Sequence, residues 1–179
     1  MLFRSLFNDG TTSNPSTGKT YYVNTTGNNT DGLTLATAWT SLSKVNAQTF
    51  QAGDRVLFEG GKTFAGNIEL DALDGNIALQ PLVLSTYGSG RATISTTVTT
   101  KCGLKATNLQ GVHIKNLIFK GPGNGTQKDI DGVLFFTDKP SGYLSNVSLT
   151  NVEVSGFGFC GIRFYSRDRK STRLNSSHT

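Results

Sequence analysis

Charge is scarce in this sequence: Asp, Glu, Lys and Arg make up 16% of its 179 residues. With 21 glycines and abundant Ser, Thr and Asn, that composition suits short strands joined by tight turns, not helices. No apolar run approaches the ~18 residues that would span a bilayer. The opening residues MLFRSLFNDG lack the apolar core of a secretory signal. Either the chain is cytoplasmic or Met1 is not the natural start, and the second reading is adopted. Clustered Cys or His residues of a metal site are missing, as are a nucleophile elbow and a dinucleotide fingerprint. Pro122-Gly123-Asn124-Gly125 reads as a loop and not a phosphate cradle, because no Lys-Ser/Thr follows it.

The formal charge of +5 raises the question of a nucleic-acid partner, but the basic residues cluster only at the C-terminal end. There the string from Asp168 to His178 resembles a translated sequencing-library adapter. On that reading the natural frame is still open at Arg167, and residues 168–179 are an artefactual, disordered tail. Without Asp168–His178 the net charge falls to +3 and the basic cluster disappears. Neither a nucleic-acid partner nor a membrane span is expected. Residues 1–18 read as a flexible segment, with DGTTSNPSTGK as its linker. Residues 19–167 form one domain.

Within that domain Thr20–Val23 reads as a strand and Asn24–Gly32 as a polar turn. Trp39, Leu42 and Val45 recur at i, i+3 and i+6, which predicts a short helix over Thr37–Val45 with Thr37 as its N-cap. From Arg55 onward the period changes to two, with strands at Val56–Phe58, Leu82–Leu84 and Ala92–Ser95 and a turn at Tyr87–Arg91.

A repeat carries the fold. Cys102-Gly103-Leu104-Lys105-Ala106, Asp131-Gly132-Val133-Leu134-Phe135 and Cys160-Gly161-Ile162-Arg163-Phe164 place their glycines 29 residues apart. Leu109–Gly121 and Leu144–Gly156 match at an offset of 35, the longer connection at Asp138–Gly142 absorbing the difference. Short period-two segments on such a period indicate a β-solenoid or a propeller; few Asn-Gly hairpin signals flank the strands, which selects the solenoid. The apolar parity slips by one at Asn116 and again at Asn151, as a bend at a left-handed Asn would cause, and stacked Asn side chains can hydrogen-bond as a ladder.

The residues Tyr21-Tyr22-Val23, Asp31-Gly32, Ala38-Trp39, Leu42, Val45-Asn46, Gly53-Asp54, Val56-Leu57-Phe58, Phe64, Pro81-Leu82-Val83-Leu84 and Tyr87-Gly88 resemble the start of right-handed parallel β-helix proteins of the pectate-lyase-like type. The coil pattern Gly-apolar, then Asn-Val-x-apolar, then Asn, resembles them as well. The resemblance covers about Lys19 to Arg167. It implies an all-β, right-handed parallel β-helix with a short N-terminal capping helix, incomplete at its C-terminal end. About four coils would lie between Val56 and Arg167, a stack roughly 19 Å tall at ~4.8 Å per coil. Such a piece is expected to aggregate when expressed alone.

The implied function is that of an exported carbohydrate-active protein, secreted or at the cell surface, whose partner is a polysaccharide substrate or glycan. A polysaccharide lyase or glycoside hydrolase is expected, with the catalytic coils beyond Arg167 and this fragment inactive. The alternative is a non-catalytic adhesin, phage tail fibre or glycan-binding module. No cofactor is expected in this chain, although the family makes calcium a candidate in a full-length protein.

Lys105, Leu134 and Arg163 share one outward column by parity, and Thr107, Phe136 and Tyr165 the next. The resemblance places this face on a substrate groove. Lys105 and Arg163 would meet uronate carboxylates, and Phe136 and Tyr165 sugar faces; ordinary exposed sheet residues would read the same way. Asp129 and Asp131 are acidic candidates, as a carboxylate pair for hydrolysis or for calcium. Asp131 also stands where neighbouring coils carry Cys, which suggests a turn. Asn28, Asn29 and Asp31 are either calcium ligands or turn formers. His113 has the parity of a solvated surface residue. Cys102 and Cys160 fall two coils apart, roughly 9.5 Å, beyond the ~7 Å Cα limit for a disulfide, so both are expected to be free and partly buried.

Overall fold

The computed structural model describes residues 18–96, 102–123, 129–139 and 143–167. The first 17 residues of the expected linker and all of the expected tail at 168–179 lie outside them, as do parts of the loops after Gly123 and Lys139.

Among the described residues thirteen strands and one short helix run in the order β1 (Thr20–Val23), α1 (Leu42–Asn46), β2 (Arg55–Glu59), β3 (Thr63–Ala65), β4 (Ile68–Leu70), β5 (Leu82–Tyr87), β6 (Ala92–Ser95), β7 (Cys102–Thr107), β8 (Val112–Lys115), β9 (Leu117–Lys120), β10 (Asp131–Thr137), β11 (Val147–Thr150), β12 (Glu153–Ser155) and β13 (Cys160–Ser166). They build three parallel sheets, ordered β1-β2-β5-β8-β11, β3-β6-β9-β12 and β4-β7-β10-β13. From β2 onward each strand pairs with the one three further along, so the chain visits the sheets in turn through four rounds. The fold is all-β and parallel.

The glycine period maps onto the third sheet. Asp131 faces Cys102 on one side and Cys160 on the other, Val133 faces Leu104 and Ile162, and Phe135 faces Ala106 and Phe164. The offset of 35 is the register of β8 with β11, Val112 opposite Val147. Alternating residues fill one core: Val56, Phe58, Leu84 and Ile114 from the first sheet, Phe64, Ile94 and Phe119 from the second, Ile68, Leu104 and Phe135 from the third. Burying such side chains contributes about 1.5–3 kcal/mol each. Asn116 (φ 57°) and Asn151 (φ 52°) adopt the left-handed conformation between β8 and β9 and between β11 and β12. Asn151 Nδ2 donates to Asn116 Oδ1 at 2.9 Å, one rung of the expected ladder.

The helix is shorter than its periodicity predicts. It starts at Leu42, its N-cap is Ser41 without a side-chain cap, and Thr37 bonds with Thr34 instead. Trp39 is extended and bridges Val23 in parallel. Its N–H donates to the Tyr22 carbonyl at 3.0 Å, and its own carbonyl accepts from the Asn24 N–H at 2.9 Å. Its ring stacks on Tyr21 at 5.0 Å, and Tyr21 meets Phe50 edge-on at 5.5 Å. Sheet hydrogen bonds and aromatic packing outweigh helix formation there. Leu42 and Val45 are buried, and α1 packs on β4, the outer strand of its sheet. Asn46 Oδ1 accepts the Glu69 N–H and Asn46 Nδ2 donates to the Asn67 carbonyl, both at 3.0 Å, so backbone groups with no strand partner are satisfied.

Candidate functional site

Alternation on the third sheet sets two outward rows. Lys105 pairs in register with Glu69, then with Leu134, which pairs with Arg163; Thr107 pairs with Phe136, and Phe136 with Tyr165. The two rows predicted from sequence are therefore continuous on one face. The Phe136 and Tyr165 rings stack at 5.6 Å with 27° between their planes. Lys105 is half-buried and has neither a hydrogen bond nor an ion pair among the described residues. Leu134 is buried. At the α1 end the face opens into a depression of about 250 Å³, lined by Asn46, Gln48, Glu69, Asp71, Lys105 and Thr107 among others.

Arg163 and Asp131 are occupied with each other. Arg163 Nη2 lies 2.6 Å from Asp131 Oδ2, with the Asp131 side chain 3% exposed and that of Arg163 35% exposed. The guanidinium also sits 4.9 Å from the Phe159 ring centroid and 5.5 Å from that of Tyr165. Asp131 is the first residue of a paired strand and not a turn, which corrects the expectation. Asp129 is exposed in the turn before it, so one acidic candidate faces solvent and the other is enclosed. Asp131 Oδ1 and Arg163 Nε are buried without hydrogen-bond partners among the described residues. Cys102 is buried and Cys160 partly exposed, and both thiols are free. Burial, then the Asp131 charge, pushes the Cys102 thiol up from its ordinary range.

The remaining candidates serve local structure. The Asn28 Oδ1 accepts from the N–H and hydroxyl of Thr30, the Asn29 Oδ1 from the Thr40 N–H at 3.1 Å, and the Asp31 Oδ1 from the Leu33 N–H at 3.0 Å. Hydrogen bonds from Thr37 and Leu33 hold Asp31 below the usual carboxylate range. Among the described residues no three His, Cys, Asp or Glu side chains gather as a metal site, and no helix is long and apolar enough to cross a membrane. His113 is half-buried, with Nε2 3.1 Å from Asn146 Oδ1, so it is tied to the next round and not simply solvated.

No family model matches the chain, and no curated protein does. Solved structures share its fold. Native GH136 lacto-N-biosidase from Eubacterium ramulus aligns with a TM-score of 0.69 at 20% identity, over 86% of this chain and 32% of that one. The selenomethionine derivative of the same enzyme aligns with a TM-score of 0.67 at the same identity and coverage. The chain thus spans about a third of the length of these glycoside hydrolase structures.

Two residues on the face escaped the sequence reading. Glu69 belongs to β4, which has only three residues and stands 36 positions before its partner β7, outside the 29-residue period. Asp71 follows it into a turn. The alternation Ile68-Glu69-Leu70-Asp71 is the one local signal for them. Together the face offers a stacked aromatic pair, an unpaired ammonium and an acid-lined depression. That set suits a flat, hydroxyl-rich ligand that stacks and exchanges hydrogen bonds. Asp131, held against Arg163, is not free for general acid–base chemistry.

Proposed function

We propose that this chain is part of a longer, exported carbohydrate-active protein with a right-handed parallel β-helix fold of the pectate-lyase-like kind, and that the outer face of β4-β7-β10-β13 contacts the glycan. The observation that carries the reading is the stacked Phe136–Tyr165 pair beside Lys105 on an open parallel sheet. The ring surface left outside the stack offers apolar contact to a sugar ring, and polar groups around it select hydroxyls. The shared fold with glycoside hydrolase structures supports a carbohydrate ligand. Export goes with this reading, because polymeric glycans do not cross membranes. Lyase or hydrolase chemistry belongs to the rest of the whole protein, since the acidic candidates of this chain are not assembled as a working pair.

The Asp131–Arg163 contact also favours a second reading, a glycan-binding surface protein without catalysis, in which that pair only braces the face. Calorimetric titration of the 179-residue chain with soluble oligosaccharides tests the common claim. Phe136→Ala or Tyr165→Ala is expected to weaken binding about tenfold, ~1.4 kcal/mol. Unchanged affinity in both variants would rule the face out.

A further inference from the structure

We propose that the depression between α1 and β4 is the closed end of this glycan path, a subsite that takes a terminal neutral or amino sugar and rejects a uronic acid. The proposal rests on the glycan-face reading and deepens it. The row Tyr165–Phe136–Thr107 runs strand by strand toward the depression, whose wall includes Thr107, Lys105, Glu69 and Asp71. Three strand steps from Tyr165 to the β4 level cover roughly 14 Å at ~4.8 Å each. One step is close to the length of a pyranose ring, so successive rings can lie on successive strands. A chain of about three sugars then reaches from the aromatic pair into the depression.

The path stops there because α1 stands across it. Asn46 ties the helix to the β4 edge through two 3.0 Å hydrogen bonds, and Asn46–Thr49 line the depression beyond that edge, where the sheet ends. Such a geometry reads the end of a glycan, not its middle.

The charge of the wall sets the selectivity. One oxygen of Glu69 accepts from Asn67 Nδ2 at 3.1 Å, and one of Asp71 accepts from the Leu73 N–H at 2.8 Å. Their second oxygens have no hydrogen bond among the described residues and can accept from sugar hydroxyls or a sugar ammonium. The Asp74 carboxylate, also on the wall, is taken up by the N–H groups of Phe50 and Asp71. Against these three carboxylates stands one cation, Lys105. A uronate would therefore meet like charge. Arg163, the other cation expected to receive uronates, is neutralised by Asp131 at the far end of the face.

The test uses the whole chain with three probes, cellotriose, a glucosamine trimer and trigalacturonate, titrated by calorimetry or by NMR. Cellotriose and the glucosamine trimer should bind at least about tenfold more tightly than trigalacturonate. The double variant Glu69→Gln/Asp71→Asn keeps both turn contacts and should shrink that preference to about threefold, mainly by admitting trigalacturonate. Phe136→Ala should weaken every probe that binds and leave the preference in place. If trigalacturonate binds the unaltered chain as well as cellotriose, or the double variant leaves the ratio unchanged, the subsite is wrong while the face stands. Failure of all three probes overturns the face and the subsite together. Unchanged circular dichroism and thermal midpoint in each variant separate these outcomes from misfolding.

Discussion

Gly132 sits where a methyl group has no room. A β-carbon there would overlap Cγ1 of Val154 and stand 2.5 Å from the Gly161 carbonyl oxygen, whereas at Gly161 the nearest atom is Val154 Cγ1 at 4.0 Å. Gly132 thus answers to close approach of Val154 from the second sheet and of the neighbouring strand's carbonyl, not to a turn. Gly132→Ala should cost about 1–3 kcal/mol, as overpacking does, and Gly161→Ala within about 0.5 kcal/mol of nothing. Urea unfolding of the two variants checks the contrast; equal midpoints would refute it. Arg163→Ala strands the Asp131 carboxylate. Full burial of both partners would make that loss 3–5 kcal/mol, but Arg163 is about one-third exposed, so about 1–3 kcal/mol is expected. Adding Asp131→Asn should recover part of it, and no recovery would mean that Arg163 acts through packing on Phe159 and Tyr165 instead.

At the same scale the two thiols should differ. The buried Cys102 holds its proton more tightly in the fold than in the unfolded chain. Its stabilising contribution is full below the unfolded thiol pKa of about 8.5 and is lost as pH rises through the higher folded value. Iodoacetamide at pH 7.5 should label the partly exposed Cys160 well before Cys102, read by peptide mass spectrometry. Prompt labelling of Cys102 would contradict its burial. Residue-level legibility was uneven for a physical reason. Parity located Lys105, Phe136, Arg163 and Tyr165 on a common face, but parity cannot show that Arg163 folds back onto Asp131. That contact depends on a side-chain rotamer and not on strand direction.

Elements were legible where they repeat. The third-sheet register and the Asn corners follow from sequence because stacked rounds must present the same residue at the same bend. β3 and β4 were missed because three-residue strands carry too few alternations to register as period two. The helix was overdrawn because a three-residue spacing describes Leu42 and Val45 equally well whether or not Trp39 belongs to it, and pairing with Val23 is a long-range effect. The corners supply an element-scale prediction. Asn116 is left-handed and accepts from Asn151, so Asn116→Ala should lose about 1–2 kcal/mol to backbone strain and the missing bond. Asn116→Gly relieves the strain and should be the milder variant. Should the glycine variant unfold at lower urea than the alanine variant, left-handed strain does not limit the corner.

Over the whole molecule the two ends of the stack differ in what they expose. At one end α1, Trp39 and Asn46 cover the first rounds, and Ile68 and Phe64 beneath them are buried. At the other, Ile162 and Phe164 of β13 continue the rows of the buried Val133 and Phe135 yet are 42% and 55% exposed, with Phe159 at 57%. β11, β12 and β13 are all edge strands among the described residues. Parallel edges with apolar side chains are templates for pairing, and a net charge of +5 spread over 179 residues gives modest repulsion against it. The 179-residue chain should therefore self-associate at micromolar concentration, seen by light scattering. The contact should form at the β13 end, because at the covered end Asn46 already occupies the Asn67 carbonyl and the Glu69 N–H of the β4 edge. Ile162→Lys with Phe164→Lys should shift the population to monomer. Leu79→Lys should not, although Leu79 is 93% exposed, because it lies outside that edge. A monodisperse monomer before any substitution would refute the β13 edge as a site of self-association.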